Sequence, residues 1–284
     1  GQITILGEII HPNMGVVTNV GVSHIEMMGS RDNICREKLD IQNGLPEDGS
    51  LLLNGDNDMI RKHLSYVKKP YEFYGFAPDC AYRAENIREE NGQTHFTFCY
   101  NGRREDVTLN VLGEHNVSNA LAAIAIGLKY QVPMEAVKQQ LSTFSGQRQN
   151  IINTNGYTVI DDSYNASPDS MKASLKILSD FHADGRRIAV LSDMLELGPD
   201  APSYHKEVGR FIASTKVTDL YITGELSQEY ITEAAAGNPS IRTRHFSSNS
   251  DLTGFLKDYL SEGDVVLVLS SNGMNLKEVS SALI

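Results

Sequence analysis

The second half of the chain alternates regularly between short apolar runs and amphipathic stretches. From residue 149 onward, five aliphatic or β-branched runs each precede a helical pattern of about ten residues. These strands are expected at 158–161, 188–191, 219–223, 243–246 and 265–269. Strands that alternate with helices form a parallel sheet with helices on both faces. We therefore predict an α/β domain with a mostly parallel sheet over residues 149–284.

Residues 1–148 follow another pattern, which predicts a separate first domain. Ser30 is placed to cap a helix, and alternating runs between 71 and 111, interrupted by Asn101-Gly102, predict antiparallel hairpins. The other elements expected here are a helix at the start, strands at 15–20 and 50–54, a helix from 30 to about 43, and helices at 114–130 and 134–143. A length of 284 residues agrees with two domains of about 150 residues each.

The charge and cysteine content exclude several classes of protein. Lys plus Arg is 25 and Asp plus Glu is 36, a formal charge of −11. A general nucleic-acid binder needs clustered cations, although a nucleotide site built from backbone amides is still allowed. The three cysteines have no zinc or disulfide spacing, and no apolar run is long enough to cross a membrane. We expect a cytoplasmic protein that binds neither nucleic acid nor membrane.

Polar clusters directly follow three strands of the second domain. They are Asp-Asp-Ser-Tyr-Asn at 161–165, Ser-Asp-Met at 192–194 and Ser-Ser-Asn-Gly at 270–273. Ligands of open parallel sheets bind outside the carboxyl ends of the strands, so these clusters predict a site; alternatively, they are ordinary polar turns that cap helices. Asp161 and Asp162 face opposite ways and are not expected to share a proton. Ser167 is expected to cap the next helix, with Pro168 in its first turn.

His24, Glu26 and Lys38 form a second candidate group. His24 and Glu26 follow the end of the strand at 15–20, and Lys38 lies on the next helix. A neutral imidazole can bind a divalent ion, and a lysine beside such an ion can become a carbamate that supplies an oxygen ligand. The alternative is a solvated turn and a surface lysine.

Two asparagines and one arginine suggest nucleotide contacts. Asn116 and Asn119 are three apart at a helix start, where both can point the same way, and a carboxamide complements the edge of adenine. Alternatively, Asn116 or Ser118 merely caps the helix. Arg148 lies at the domain junction, where it could clamp a phosphate or form a boundary salt bridge. One carboxylate of Asp161-Asp162 could accept a hydrogen bond from a ribose hydroxyl.

Together and in this order, these stretches resemble the Mur ligase family. They are VVTNVGVSHIEMMGSRDNI, GLPEDGSLLLN, LGEHNVSNALAAIAIGL, QRQNI, IDDSYNASPDSMKASL and DMLELG. IDDSYNASPDSM and DMLELG are the most specific, for the branch that joins D-alanyl-D-alanine to UDP-N-acetylmuramoyl-tripeptide. The resemblance implies a central ATP-binding α/β domain over 1–148 and a Rossmann-like C-terminal domain over 149–284.

The resemblance also implies a reaction of peptidoglycan precursor synthesis and a set of site residues. ATP phosphorylates the terminal carboxylate of the tripeptide, and the amine of D-alanyl-D-alanine attacks the acyl phosphate, with Mg²⁺ stabilising charge. His24 then resembles a metal ligand and Lys38 the lysine that is carbamylated, and both count as catalytic. The residues matched to nucleotide contacts are His115, Asn116, Asn119, Arg148, Asp162 and Tyr164, and the residue matched to substrate is Asn165.

The chain also departs from the family pattern. Neither Gly-Lys-Thr nor Gly-Lys-Ser occurs, and Leu269-Ser270-Ser271-Asn272 stands where the family has a Lys-Gly-Ser-Arg-like run. We therefore expect the C-terminal two-thirds of such a ligase, inactive alone and self-associating through an exposed edge of its truncated first domain. The alternatives are a folylpolyglutamate- or cyanophycin-type ligase and a non-catalytic binding module of the same fold.

Overall fold

A computed structural model describes residues 1–90, 92–144, 150–154 and 156–284. The chain divides into two compact units, one formed by Gly1–Gly21 with Met28–Ser145 and the other by Val22–Met27 with Gly146–Ile284. A short loop from the first half of the sequence therefore belongs to the second unit. The boundary predicted between residues 148 and 149 lies outside the described residues.

The first unit contains a six-stranded sheet in the order β1-β2-β3-β4-β5-β6. Its strands are β1 Met14–Val17, β2 Ser50–Asn54, β3 Tyr71–Gly75, β4 Tyr82–Glu90, β5 Gln93–Tyr100 and β6 Arg103–Leu109. The helices of this part of the chain are α1 Gln2–Ile10, α2 Ile25–Met28, α3 Arg31–Leu39, α4 Asp58–Lys62, α5 Glu114–Lys129 and α6 Met134–Thr143. β1 to β4 pair in parallel, and β4, β5 and β6 pair antiparallel.

Local sequence signals explain several of these boundaries. Ser30 Oγ accepts a hydrogen bond from Asn33 N at 3.1 Å, so the predicted cap of α3 is confirmed. Asn101 and Gly102 both take positive φ, 48° and 74°, as a tight hairpin turn between β5 and β6 requires. The antiparallel prediction is wrong for β3, because its register places it parallel to β2. The Asn-Gly turn predicts only the pairing of the two strands next to it, and it does not show which strand β3 pairs with.

The second unit contains a six-stranded sheet in the order β11-β10-β9-β12-β8-β7. Its strands are β7 Asn150–Asn153, β8 Thr158–Asp162, β9 Arg187–Leu191, β10 Asp219–Ile222, β11 Arg242–His245 and β12 Val265–Leu269. Its remaining helices are α7 Pro168–Asp180, α8 Ala201–Ala213, α9 Gln228–Gly237, α10 Asn249–Tyr259 and α11 Leu276–Leu283. All strand pairs are parallel except β7 with β8, which is antiparallel. The predicted α/β class and mostly parallel sheet are confirmed, whereas β7 was not anticipated.

The core of the second unit is centred on β12, a strand that is buried along its whole length. Val266 and Val268 pack with apolar side chains of β8, β9 and β10, and α10 and α11 cover this face through Leu252, Leu256 and Val279. A strand buried on both faces reads as a continuous apolar run, as Val-Val-Leu-Val-Leu does. The rigid core holds the carboxyl ends of β8, β9 and β12 in fixed register.

Candidate functional site

The three polar clusters converge at one edge of the second sheet. They follow β8, β9 and β12, and these strands are neighbours in the order β9-β12-β8. The register pairs Leu269 with both Asp162 and Leu191, so Ser163, Ser270 and Ser192 leave the sheet at the same level. The three clusters therefore lie at one edge of this sheet, and the ligand site that they predict stays a prediction.

The two aspartates at the end of β8 have separate partners. Asp161 Oδ1 accepts hydrogen bonds from Ser163 N at 3.1 Å and Ser163 Oγ at 2.6 Å. Asp162 Oδ2 instead accepts one from Ser174 Oγ of α7 at 2.5 Å. Adjacent strand residues point to opposite faces, and the two carboxylates are accordingly bound on different sides.

The loop after β8 presents two further side chains at the surface. Tyr164 is 59% exposed and Asn165 is also exposed, although Asn165 Oδ1 accepts a hydrogen bond from Ala166 N at 2.9 Å. Ser167 caps α7 by accepting from Ser170 N, and Ser170 Oγ accepts from Ser167 N at 2.9 Å. This reciprocal cap fixes the loop that carries both exposed side chains.

Buried polar contacts shape the loop after β9. Asp193 Oδ1 accepts hydrogen bonds from Ser227 N at 2.7 Å and Ser227 Oγ at 2.5 Å, and its other oxygen accepts from Glu225 N. Leu195 N donates to Ser271 Oγ at 3.0 Å, which ties this loop to the loop after β12. Asp193 is therefore a structural acceptor, and its position in the polar cluster reflects loop architecture.

His205 was not singled out from the sequence, yet it supports the same loop. It is fully buried in α8, its Nδ1 donates to Ala201 O at 2.7 Å, and its Nε2 accepts from Met194 N at 3.0 Å. Burial lowers the pKa of His205, so the ring is held neutral. An isolated histidine on an apolar helix face gives no sequence signal for this role.

The loop Val22–Met27 lies against the DMLELG loop in the second unit. His24 Nδ1 is hydrogen-bonded to the carboxylate of Glu196, and Glu26 N donates to Glu196 O at 3.3 Å. Both His24 and Glu196 are more than half exposed. Because one ring nitrogen of His24 is engaged by Glu196, only Nε2 is left to contact a ligand.

This edge of the sheet is acidic and contains one unsatisfied hydroxyl. The loops at 161–165, 192–198 and 270–275 carry four carboxylates and no Lys or Arg. Ser270 Oγ is buried and has no hydrogen-bond partner among the described residues. Buried hydroxyls normally have a partner, so Ser270 is available to a bound water or ligand. The charge of the loops favours an amine-bearing ligand over a phosphate.

Lys38 lies in the first unit, where it is half-buried on α3. Its Nζ donates to Asn19 O at 2.7 Å, and it forms no ion pair with the described residues. Burial lowers the pKa of Lys38, which increases the fraction of neutral amine near neutral pH. His24 and Lys38 belong to different units.

The start of α5, also in the first unit, carries His115, Asn116 and Asn119. Asn116 Nδ2 donates to Leu112 O at 2.7 Å, which leaves its Oδ1 to face a ligand, whereas Asn119 is exposed. Burial lowers the pKa of His115. Gly113 occupies the N-cap position, and no side chain of the described residues caps the helix. The alternative in which Asn116 or Ser118 caps α5 is therefore wrong.

Arg148 lies outside the described residues. Among residues 1–90, 92–144, 150–154 and 156–284, no group of three or more His, Cys, Asp and Glu side chains is placed to hold a metal ion. The described side chains thus do not fit a complete protein-held magnesium site. Within the same residues, no helix is both long and apolar enough to span a membrane.

Comparisons with known proteins find similar proteins for both units of the chain. Residues 1–127 match the Mur ligase middle domain, and residues 147–272 match the family described as Mur ligase, glutamate ligase domain. UDP-N-acetylmuramoyl-tripeptide–D-alanyl-D-alanine ligase of Bacillus subtilis is 36% identical over 100% of this chain, and the Escherichia coli enzyme of that name is 29% identical. The chain spans 62% of the length of each of these two relatives.

Solved structures share the fold. MurF from Acinetobacter baumannii superposes with a TM-score of 0.86 at 24% identity, covering 99% of this chain and 61% of that one. MurF ligase from Thermotoga maritima in complex with ADP superposes with a TM-score of 0.84 at 21% identity, covering 99% of this chain and 64% of that one.

Proposed function

The chain belongs to the Mur ligase family, and from that premise we propose that it contributes to ATP-dependent joining of D-alanyl-D-alanine to UDP-N-acetylmuramoyl-tripeptide. The placement of the two most specific motifs in one sheet supports this proposal. IDDSYNASPDSM contains the end of β8, DMLELG follows β9, and both strands pair with β12. Ligands of such sheets bind at this edge.

The acidic edge of the second sheet suits the dipeptide. A free amino group is drawn to the negative charge of Asp161, Asp162 and Glu196, and the unpartnered Ser270 hydroxyl offers a further contact. We assign Asn165 to this substrate, because its side chain is exposed beside the carboxylates. Asp162 and Tyr164 are assigned to the nucleotide, as the family resemblance implies.

The start of α5 is the proposed contact for the adenine base. Asn116 Oδ1 and the exposed amide of Asn119 lie one helical turn apart, with His115 beside them. In the proposed reaction the tripeptide carboxylate takes the γ-phosphoryl group of ATP and ADP leaves. The dipeptide nitrogen then bonds to the acyl carbon, phosphate leaves with its oxygen, and the amine loses a proton. Arg148 is the proposed phosphate contact.

Magnesium enters this proposal as the ion that accompanies ATP, where it would neutralise charge on the phosphates. His24 and a carbamylated Lys38 are the candidate ligands by family resemblance. The proposal for Lys38 is supported by its lowered pKa, since only a neutral amine adds to carbon dioxide.

A binding experiment tests the proposal on the 284-residue chain itself. We expect ADP to shift the amide resonances of 114–119 and those of Asp162 and Tyr164, and D-alanyl-D-alanine to shift those of Asn165, 192–198 and 270–274. An Asn119→Ala variant should weaken only the ADP response. Binding of L-glutamate in place of the dipeptide would favour a folylpolyglutamate-type ligase, and no ADP response would favour a non-catalytic module.

A further inference from the structure

A cavity of about 450 Å³ lies at the edge of the second sheet opposite the candidate site. It opens where β10 and β11 begin, whereas the candidate site lies where parallel strands of the same sheet end. The lining residues are Thr215, Lys216, Val217, Thr218, Asn238, Ser240 and Arg242. Its volume falls within the range of small-molecule sites.

A buried carboxylate holds Arg242 in place at this cavity. Arg242 Nε donates to Asp219 Oδ1 at 2.8 Å and Nη2 donates to Asp219 Oδ2 at 3.1 Å. Asp219 is fully buried and also accepts hydrogen bonds from Thr218, Tyr221 and Tyr259. Burial alone would raise the pKa of Asp219, but these donors outweigh it and hold the pKa below its ordinary value. Asp219 therefore stays ionised, and Arg242 keeps a fixed orientation.

Arg242, Lys216 and Asn238 carry hydrogen-bond donors at the cavity. Arg242 Nη1 has no partner among the described residues, and its side chain is 59% exposed. Lys216 is exposed and forms no ion pair in the described part of the chain. Asn238 Oδ1 is occupied by Ser240 N and Ser240 Oγ, at 3.2 and 2.6 Å, which leaves Asn238 Nδ2 to face a ligand.

Two cations and one internal carboxylate leave this cavity a net positive charge within a chain of formal charge −11. A ligand that supplies acceptors and negative charge complements the two cations and the Asn238 amide. We propose that the cavity binds a phosphate group, carried by inorganic phosphate or by a small phosphorylated molecule. This site is separate from the residues to which the proposed ligase function is assigned.

Titration of the amide resonances with inorganic phosphate at constant ionic strength tests this proposal. We expect saturable shifts at 215–218 and 238–242, and a loss of affinity of about fivefold or more in Lys216→Gln, since a charge-assisted bond is removed. Lys257→Gln, on the exposed side of α10, is the matched control and should bind like the parent chain. Arg242→Lys keeps a cation beside Asp219 while removing Nη1, and should also weaken binding.

A parallel titration with ADP distinguishes the two sources of phosphate. Saturation by inorganic phosphate assigns the site to the free ion, and saturation by ADP alone assigns it to a phosphorylated molecule. The proposal would be overturned if the chemical shifts rose linearly with phosphate concentration and rose equally when chloride was added instead. It would also be overturned if Lys216→Gln and the parent chain bound phosphate with equal affinity. In that case Arg242 serves only as a charge on the edge strand β11 that discourages strand pairing.

Discussion

His24 Nδ1 is hydrogen-bonded to the carboxylate of Glu196, and both residues have a left-handed backbone with φ of 63°. Left-handed conformations are costly for residues other than glycine, so contacts between the two loops must stabilise them. The bond joins the histidine that the family resemblance marks as a metal ligand to the glutamate of the DMLELG motif. Glu196 was not expected to contact His24.

Removing the Glu196 carboxylate should loosen the loop Val22–Met27. In Glu196→Ala, we expect the amides of 24–27 to exchange with solvent several-fold faster, measured by hydrogen exchange. The free energy of unfolding should change by less than about 1 kcal/mol, because both partners are more than half exposed. Glu262→Ala, at an exposed position outside this contact, is the control. Unchanged exchange at 24–27 would show that the bond does not hold the loop.

Replacing His205 should change how stability depends on pH. Burial lowers its folded-state pKa, so as the pH falls below about 6.5 the unfolded chain binds a proton that the folded chain refuses. The free energy of unfolding therefore has its full value above the ordinary histidine pKa. It decreases as the pH falls towards the pKa of His205 in the folded chain, by at most about 1.4 kcal/mol per pH unit.

We expect His205→Gln to reduce the slope of the free energy of unfolding against pH, measured by urea unfolding of the second unit. Glutamine can accept from Met194 N and donate to Ala201 O, as the neutral ring does. The exposed His245→Gln should leave the slope unchanged. Equal slopes in the parent and His205→Gln would contradict this account.

Lys38 should form a carbamate more readily than an exposed lysine. Its pKa is lowered by burial, so a larger fraction of its amine is neutral at a given pH. With ¹³C-labelled bicarbonate we expect a carbamate resonance that disappears in Lys38→Arg and persists in Lys257→Arg. A spectrum that is the same in all three proteins would remove the support for this modification.

The helix α1 should make the chain self-associate. Ile5, Leu6, Ile9 and Ile10 are 57%, 53%, 71% and 66% exposed, and they lie on a helix whose buried position is Gly7, close to Gly44. A contiguous apolar surface of this kind favours association. We expect the average mass by light scattering to rise with concentration, and to stay at the monomer value in Ile5→Lys/Ile9→Lys. Val132→Lys is the control, and a parent chain monomeric throughout would contradict the prediction.

Local patterns predicted most elements because each depends on neighbouring residues. The Ser167-Pro168 start of α7, the Ser30 cap of α3 and the Asn101-Gly102 turn all follow from backbone chemistry within a few residues. β7 was missed because an Asn-Ile-Ile-Asn run of four residues carries no distinctive period. It becomes a strand only by pairing with β8.

The α/β class, the family and the polar clusters that end β8, β9 and β12 could all be predicted from the amino-acid sequence. Periodicity and motif spacing depend only on the order of the residues, so they can be recognised without a structure. Three relationships could not be predicted in this way: these strands are neighbours, Glu196 is hydrogen-bonded to His24, and Arg242 and Lys216 line one cavity. These pairings join residues far apart in sequence, and they depend on burial and strand order, which no local pattern encodes.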